Sequence, residues 1–204
     1  IAAGGPRTLQ MAGRIADGVF IRVGRHKANL GISIDAVRTG ALEAGRNPDE
    51  VKIGLIFHTI MTDDPERAAL MSRSMAAGYF EYSPMLFDQA GFVWEGPDVE
   101  ELKKQVWPDF HHAADLAASG RLVSFLSDEI AEAFALFGTP DMIAAQLNQV
   151  LDLGHDIDVV VPHPVPTPPL AGPRPDYIER FAGEVIPKLR ALREVEVPPK
   201  DPAT

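Results

Sequence analysis

Short apolar runs and stretches of helical periodicity alternate along this chain, and that alternation limits its fold more than any other feature. Ile1, Ala2 and Ala3 read as the end of a buried strand, and Gly4-Gly5 as a tight turn. Pro6 suits the first position of a helix, where a missing N–H leaves nothing unsatisfied. Leu9, Ala12 and Ala16 then recur at helical spacing, with Arg7, Gln10 and Arg14 on the opposite side. Asp17-Gly18 closes that helix, and Val19-Phe20-Ile21 is a second strand, followed by a basic loop from Arg22 to Lys27. The pattern predicts a helix over 33–44, ended by Gly45 and Asn47-Pro48, a strand over 51–61, and a helix over 66–78 that starts after Pro65.

Residues 79–127 are less regular, with both tryptophans and helical patches at 99–106 and 110–118. Beyond them the sequence predicts a short helix over 128–134, a cap at Gly138-Thr139-Pro140, an amphipathic helix over 141–151 and a last strand over 157–161. A proline-rich loop (162–175) leads to a final helix (177–192) and a polar, flexible tail over 194–204. Strand and helix in this order point to an α/β fold with parallel strands and crossover helices. Four predicted strands are too few to close a barrel, which takes eight. The chain also opens on Ile1 in the middle of a strand, so the expectation is a truncated chain or a fragment.

Composition removes several function classes. A net charge of −10 opposes non-specific binding to nucleic acid or to anionic membrane. No apolar run is long enough to span a bilayer. The chain has no cysteine, which excludes disulfides, thiolate nucleophiles and zinc–thiolate sites. A cytoplasmic location and small-molecule chemistry are the expectation, and no metal site is assigned.

Three segments carry a resemblance. Ala3-Gly4-Gly5-Pro6, with the alanine-bearing helix and Ala16-Asp17-Gly18 after it, resembles the fifth strand, fifth helix and sixth strand of the luciferase-like oxidoreductases. Phe137-Gly138-Thr139-Pro140-Asp141 is similar to that family's cap before the helix preceding strand eight. Asp176-Tyr177-Ile178-Glu179-Arg180-Phe181, with Glu184-Val185-Ile186-Pro187, resembles its closing helix. The resemblance implies the C-terminal half of a (β/α)8 TIM barrel, strands five to eight, over residues 1–193, with 79–127 as an irregular helical insert. It also implies a homodimer.

The Gly-Gly-Pro form looks closest to the branch that uses coenzyme F420, a 5-deazaflavin, which includes the methylenetetrahydromethanopterin reductases. The implied activity is hydride transfer between the deazaflavin and a small organic substrate. An FMN-dependent monooxygenase is the alternative enzyme. A non-catalytic flavin- or deazaflavin-binding protein or subunit is the alternative from another class.

The residues of the first turn suit a phosphate. Gly4 and Gly5 let backbone N–H groups approach an anion, and the helix beginning at Pro6 directs its positive end and free N–H groups, at Arg7 and Thr8, to the same corner. By resemblance, Ala3, Gly4, Gly5, Arg7 and Thr8 are the cofactor-binding set. The same Gly-Gly-Pro also serves as an ordinary strand-to-helix turn. Arg22 and Arg25 stand where the sugar-phosphate dehydrogenases of the F420 branch carry a Thr and a Lys. With His163, which follows the last strand, they are the candidate substrate-binding residues. His58 shares a strand face with Ile56 and Ile60, fitting either a core histidine or a contact to the cofactor ring. His111 and His112 are adjacent, so on a helix they diverge. In the family the His, Trp and Glu that work on the ring belong to earlier strands. No catalytic acid is therefore assigned here, and Trp94 is not given that role.

Overall fold

The computed structural model describes residues 1–166 and 175–190. Its strands are β1 (Ala2–Ala3), β2 (Gly18–Ile21), β3 (Lys52–Met61), β4 (Leu136–Gly138) and β5 (Val159–Pro164). The helices are α1 (Pro6–Ile15), α2 (Lys27–Glu43), α3 (Pro65–Tyr82), α4 (Met85–Ala90), α5 (Val99–Lys103), α6 (Leu116–Leu122), α7 (Asp128–Phe134), α8 (Pro140–Leu151) and α9 (Tyr177–Arg180). Starts are set where side-chain oxygens satisfy first-turn N–H groups. Asp64 accepts from Arg67 N at 3.0 Å, Ser127 from Ile130 N at 3.2 Å and Thr139 from Met142 N at 3.4 Å.

All strand pairs are parallel. β3 is central: it pairs with β2 over Lys52, Ile53, Gly54 and Leu55, and with β5 from Gly54 to Thr59. Gly54 and Leu55 serve both partners, so β2 and β5 lie on opposite edges of β3. Thr59 pairs with both Leu136 and Pro164, which puts β4 on the same edge as β2, further along the strand. The path β1-β2-β3-β5 is thus a continuous parallel arc, with β4 filling the space beside the carboxyl end of β3.

The register sorts side chains into two faces. Val19, Ile21, Ile53, Leu55 and Phe57 point to one face and are buried, in one core with Leu9 of α1 and Leu30, Ile34 and Val37 of α2. On the other, Ala2, Phe20, Gly54 and Val159 share one level and Ile56 and Val161 the next, with Arg22 directly after β2. This second face is open at its base, where Phe20 is 40% and Val159 48% exposed. Gly54 leaves room for the Phe20 ring, since a Cβ there would lie 2.5 Å from it.

Several expectations are corrected. The sheet has five strands rather than four, because Leu136–Gly138, of which only Phe137 and Gly138 were expected in a helix cap, pairs with Thr59, Ile60 and Met61. The second helix begins at Lys27 instead of residue 33 and absorbs the end of the basic loop. The patch expected at 110–118 is a helix at Leu116–Leu122, and the last strand runs to Pro164. The closing helix is a turn of α9 continued as a π turn (Phe181–Val185) and a 3-10 turn (Ile186–Lys188), since Pro187 cannot continue an α-ladder. The tail at 194–204 and most of the proline-rich loop lie outside the described residues. Among the described residues no helix is long and apolar enough to cross a membrane.

Candidate functional site

Because β1, β2, β3 and β5 run parallel, the residues that follow or end them gather at one end of the open face. At the first corner, Gly5 is the N-cap of α1 with ordinary extended backbone (φ −86°, ψ 145°) and no side-chain cap. A Cβ added to Gly5 would meet nothing within 4 Å. Arg7 and Thr8 are exposed in the first turn, where N–H groups have no partner in the helix ladder. The N-terminus of a helix favours negative charge for that reason. Ala3 is half-buried, and its carbonyl accepts from Arg22 N at 3.2 Å. The glycine corner and Arg22 therefore belong to neighbouring strands, about 5 Å apart.

Arg22 turns along the open face toward the end of β3, and its guanidinium Nη2 donates to Nε2 of His58. His58 is 4% exposed and stands in register with His163 on β5, the two rings 5.9 Å apart. Two residues from outside the arc close over it. Tyr79 of α3 lies 5.7 Å from the His58 ring, and His111, between α5 and α6, lies 5.1 Å away. Gly78 makes space for His111, whose Nε2 lies 3.0 Å from the Met75 carbonyl. Asp109 fixes the segment: Oδ1 accepts from the backbone N–H of His111 at 2.8 Å and of His112 at 2.9 Å. His112 points away and is exposed, its Nδ1 2.8 Å from Asp109 Oδ2.

The electrostatics follow from this arrangement. Burial, with Arg22 and the other imidazoles nearby, pushes His58 down to about 2. Burial likewise takes His111 down to about 4, against the Met75 carbonyl, which favours its charged form. His163, exposed at the rim, is lowered by partial burial and by Arg22. Burial pushes the Tyr79 phenol up, opposed by the adjacent Arg22 guanidinium. His58 Nδ1 has no hydrogen-bond partner among the described residues. No set of three His, Asp or Glu side chains among these residues is placed to hold a metal ion.

The structure separates the two arginines of the basic loop. Arg22 joins His58 and His163. Arg25 is engaged elsewhere: Nε donates to the Ala135 carbonyl at 3.2 Å, and the guanidinium reaches Gln149 Oε1 at 3.1 Å and Glu132 Oε2 at 3.3 Å. Arg25 thus ties the loop to α7 and α8, with its side chain 8% exposed. With His26, Lys27 and Leu153 it lines a separate cavity of about 260 Å³. His58 takes the buried position that one of its two sequence readings expected, and its ring lies against Arg22, Tyr79, His111 and His163. Sequence reasoning missed Tyr79, whose available signal was a tyrosine closing an Ala- and Met-rich helical stretch, and it set His111 aside as a helix neighbour of His112, whereas His111 lies in the turn between α5 and α6.

Fold and site together define a parallel α/β protein with an anion-compatible corner and an Arg–His cluster at the carboxyl ends of its strands. The family model described as luciferase-like monooxygenase matches residues 1–156, and the chain belongs to that family. It is 26% identical over 191 residues to the 5,10-methylenetetrahydromethanopterin reductase of Methanopyrus kandleri, covering 93% of this chain and 50% of that protein. The solved structure of coenzyme F420-dependent tetrahydromethanopterin reductase from Methanopyrus kandleri superposes with a TM-score of 0.68 at 25% identity, covering 93% of this chain and 50% of that one. A stretch of 80 residues, 37% of this chain and 23% of the relative, is 39% identical to the F420-dependent glucose-6-phosphate dehydrogenase of Mycolicibacterium gilvum. The chain spans about half the length of the curated methylenetetrahydromethanopterin reductases it matches.

Proposed function

We propose that this chain forms the C-terminal half, strands five to eight, of a (β/α)8 barrel in an F420-dependent oxidoreductase. The observation that carries the reading is the corner at Gly5: an uncapped helix N-terminus with free space, one strand from an exposed arginine. Similarity to relatives named as F420-dependent supports the choice of cofactor.

The residues present fit a phosphorylated deazaflavin. Backbone N–H groups of Gly5, Arg7 and Thr8 would hold its phosphate, with Ala3 and Gly4 forming the strand side of the corner. When bound, a 5-deazaflavin supplies two-electron hydride chemistry. Arg22 and His163 face the same end of the sheet and would orient an anionic group of a small-molecule substrate. Phe20, Ile56 and Val161 give that face an apolar floor against which a ring could lie. A homodimer, on family resemblance alone, and a cytoplasmic location, on composition alone, complete the proposal.

Fluorescence titration of the chain with F420 and with FMN tests this reading. It predicts saturable binding of F420, and FMN binding at least tenfold weaker. Tighter binding of FMN would move the protein to the monooxygenase branch, and binding of neither would remove the cofactor site.

A further inference from the structure

We infer that His58 is a positioning residue for Arg22: it fixes the guanidinium over the open face without cancelling its charge, leaving that charge for an anionic ligand group. The inference rests on the proposed reading of Arg22 as an anion-contacting residue.

Exposed arginines sample many rotamers, and binding a ligand removes that freedom. Proteins usually fix an arginine with a carboxylate, which also neutralises it. Arg25 is fixed that way, by Glu132. Arg22 is not. Its tip is held by His58 Nε2, and a guanidinium has no acceptor, so His58 must offer a lone pair and be neutral. The titratable and charged groups that face His58 are Arg22, His111, His163 and His112, none of them an acid. Tyr79, the other polar group beside Arg22, is also neutral in its ordinary state.

The anchor itself is held on several sides. β3 carries His58 at a buried position, Tyr79 and His111 pack against its ring, and Asp109 fixes the turn that carries His111. His58 takes one Arg22 donor and the Tyr79 hydroxyl lies against the same guanidinium, so the N–H groups of the fork that turn away from both are the ones that would meet a carboxylate or phosphate.

The test uses the 15N-labelled chain carrying Gly5→Val, which fills the glycine corner so that phosphate bound there is not read, with the Arg22 Nε–Hε signal and titration with inorganic phosphate. His58→Leu removes the acceptor, whereas His58→Gln keeps an acceptor near the position of Nε2. The expected result for His58→Leu is loss of the resolved Arg22 signal and phosphate affinity at least fivefold weaker. His58→Gln is expected to keep the signal and to bind within about twofold of the parent. An unchanged Arg22 signal in His58→Leu, or His58→Gln failing as badly as His58→Leu, would overturn the inference. Arg22→Ala distinguishes the two levels of the argument. If it leaves phosphate affinity unchanged, the reading of the site fails and the inference with it. If it weakens phosphate and His58→Leu does not, the inference alone fails.

Discussion

His58 and His163 face each other across the β3–β5 pair, one buried and one at the rim, with ring centroids 5.9 Å apart. With His111 they form a group of imidazoles beside Arg22 that folding holds in the neutral state. Holding them neutral links stability to pH. A free imidazole titrates at 6.5, while His58 is held at about 2 and His111 at about 4 in the folded chain. The unfolded chain therefore binds protons first as pH falls. The stabilisation is complete above pH 6.5 and is lost progressively below it, by up to about 1.4 kcal/mol per pH unit for each histidine. Urea denaturation at pH 7.5 and pH 5.0 should show a drop of about 2–4 kcal/mol at the lower pH. Equal stability at both values would show that the imidazoles are not held neutral.

The two arginines of the basic loop should behave in opposite ways. Arg25→Ala removes hydrogen bonds to Ala135, Gln149 and Glu132, so it should lower stability by about 1–3 kcal/mol. It should leave the affinity of the folded chain for phosphate within twofold of the parent. Arg22→Ala should do the reverse, weakening phosphate binding with a change in stability of about 1 kcal/mol or less. Thermal denaturation and calorimetric titration of both variants decide this. Loss of phosphate binding in Arg25→Ala would return that residue to the site.

Gly24 carries the turn that parts the two arginines. Its φ is +74°, and a Cβ would lie 2.5 Å from the Ala133 carbonyl, which accepts from Arg25 N at 2.7 Å. Gly24→Ala combines left-handed backbone with a clash against backbone, and should cost about 2 kcal/mol or more. Chemical denaturation measures it. A variant as stable as the parent would show that the loop repacks freely against α7.

Much of the fold was legible because local signals and long-range packing agree. Pro6, Pro65 and Pro140 each open a helix, and the apolar runs read as the first three strands pair as β1, β2 and β3 of the parallel sheet. Two elements were hidden for physical reasons. β4 has only three residues, and its neighbour on β3 is far away in sequence, so Leu136 and Phe137 carry no period to read. The start of α2 lacks a capping side chain, and Asn29 looks like a loop residue. In the fold Asn29 is buried, and its Nδ2 donates to the Val23 carbonyl at 3.4 Å. In the site, the glycine corner and Arg22 could be named from sequence because they follow strand ends directly. Tyr79 and His111 reach His58 only through the path of α3 and the segment after α5, which no local pattern encodes.

The central claim is that the space beside Gly5 belongs to the anionic part of a ligand, and Gly5→Val tests it most directly. The backbone of Gly5 is open to any residue and an added Cβ meets nothing within 4 Å, so the variant should fold with a penalty of about 1 kcal/mol at the N-cap. F420 fluorescence anisotropy should then show binding at least tenfold weaker than in the parent. Binding of F420 to Gly5→Val with the parent's affinity would contradict the account.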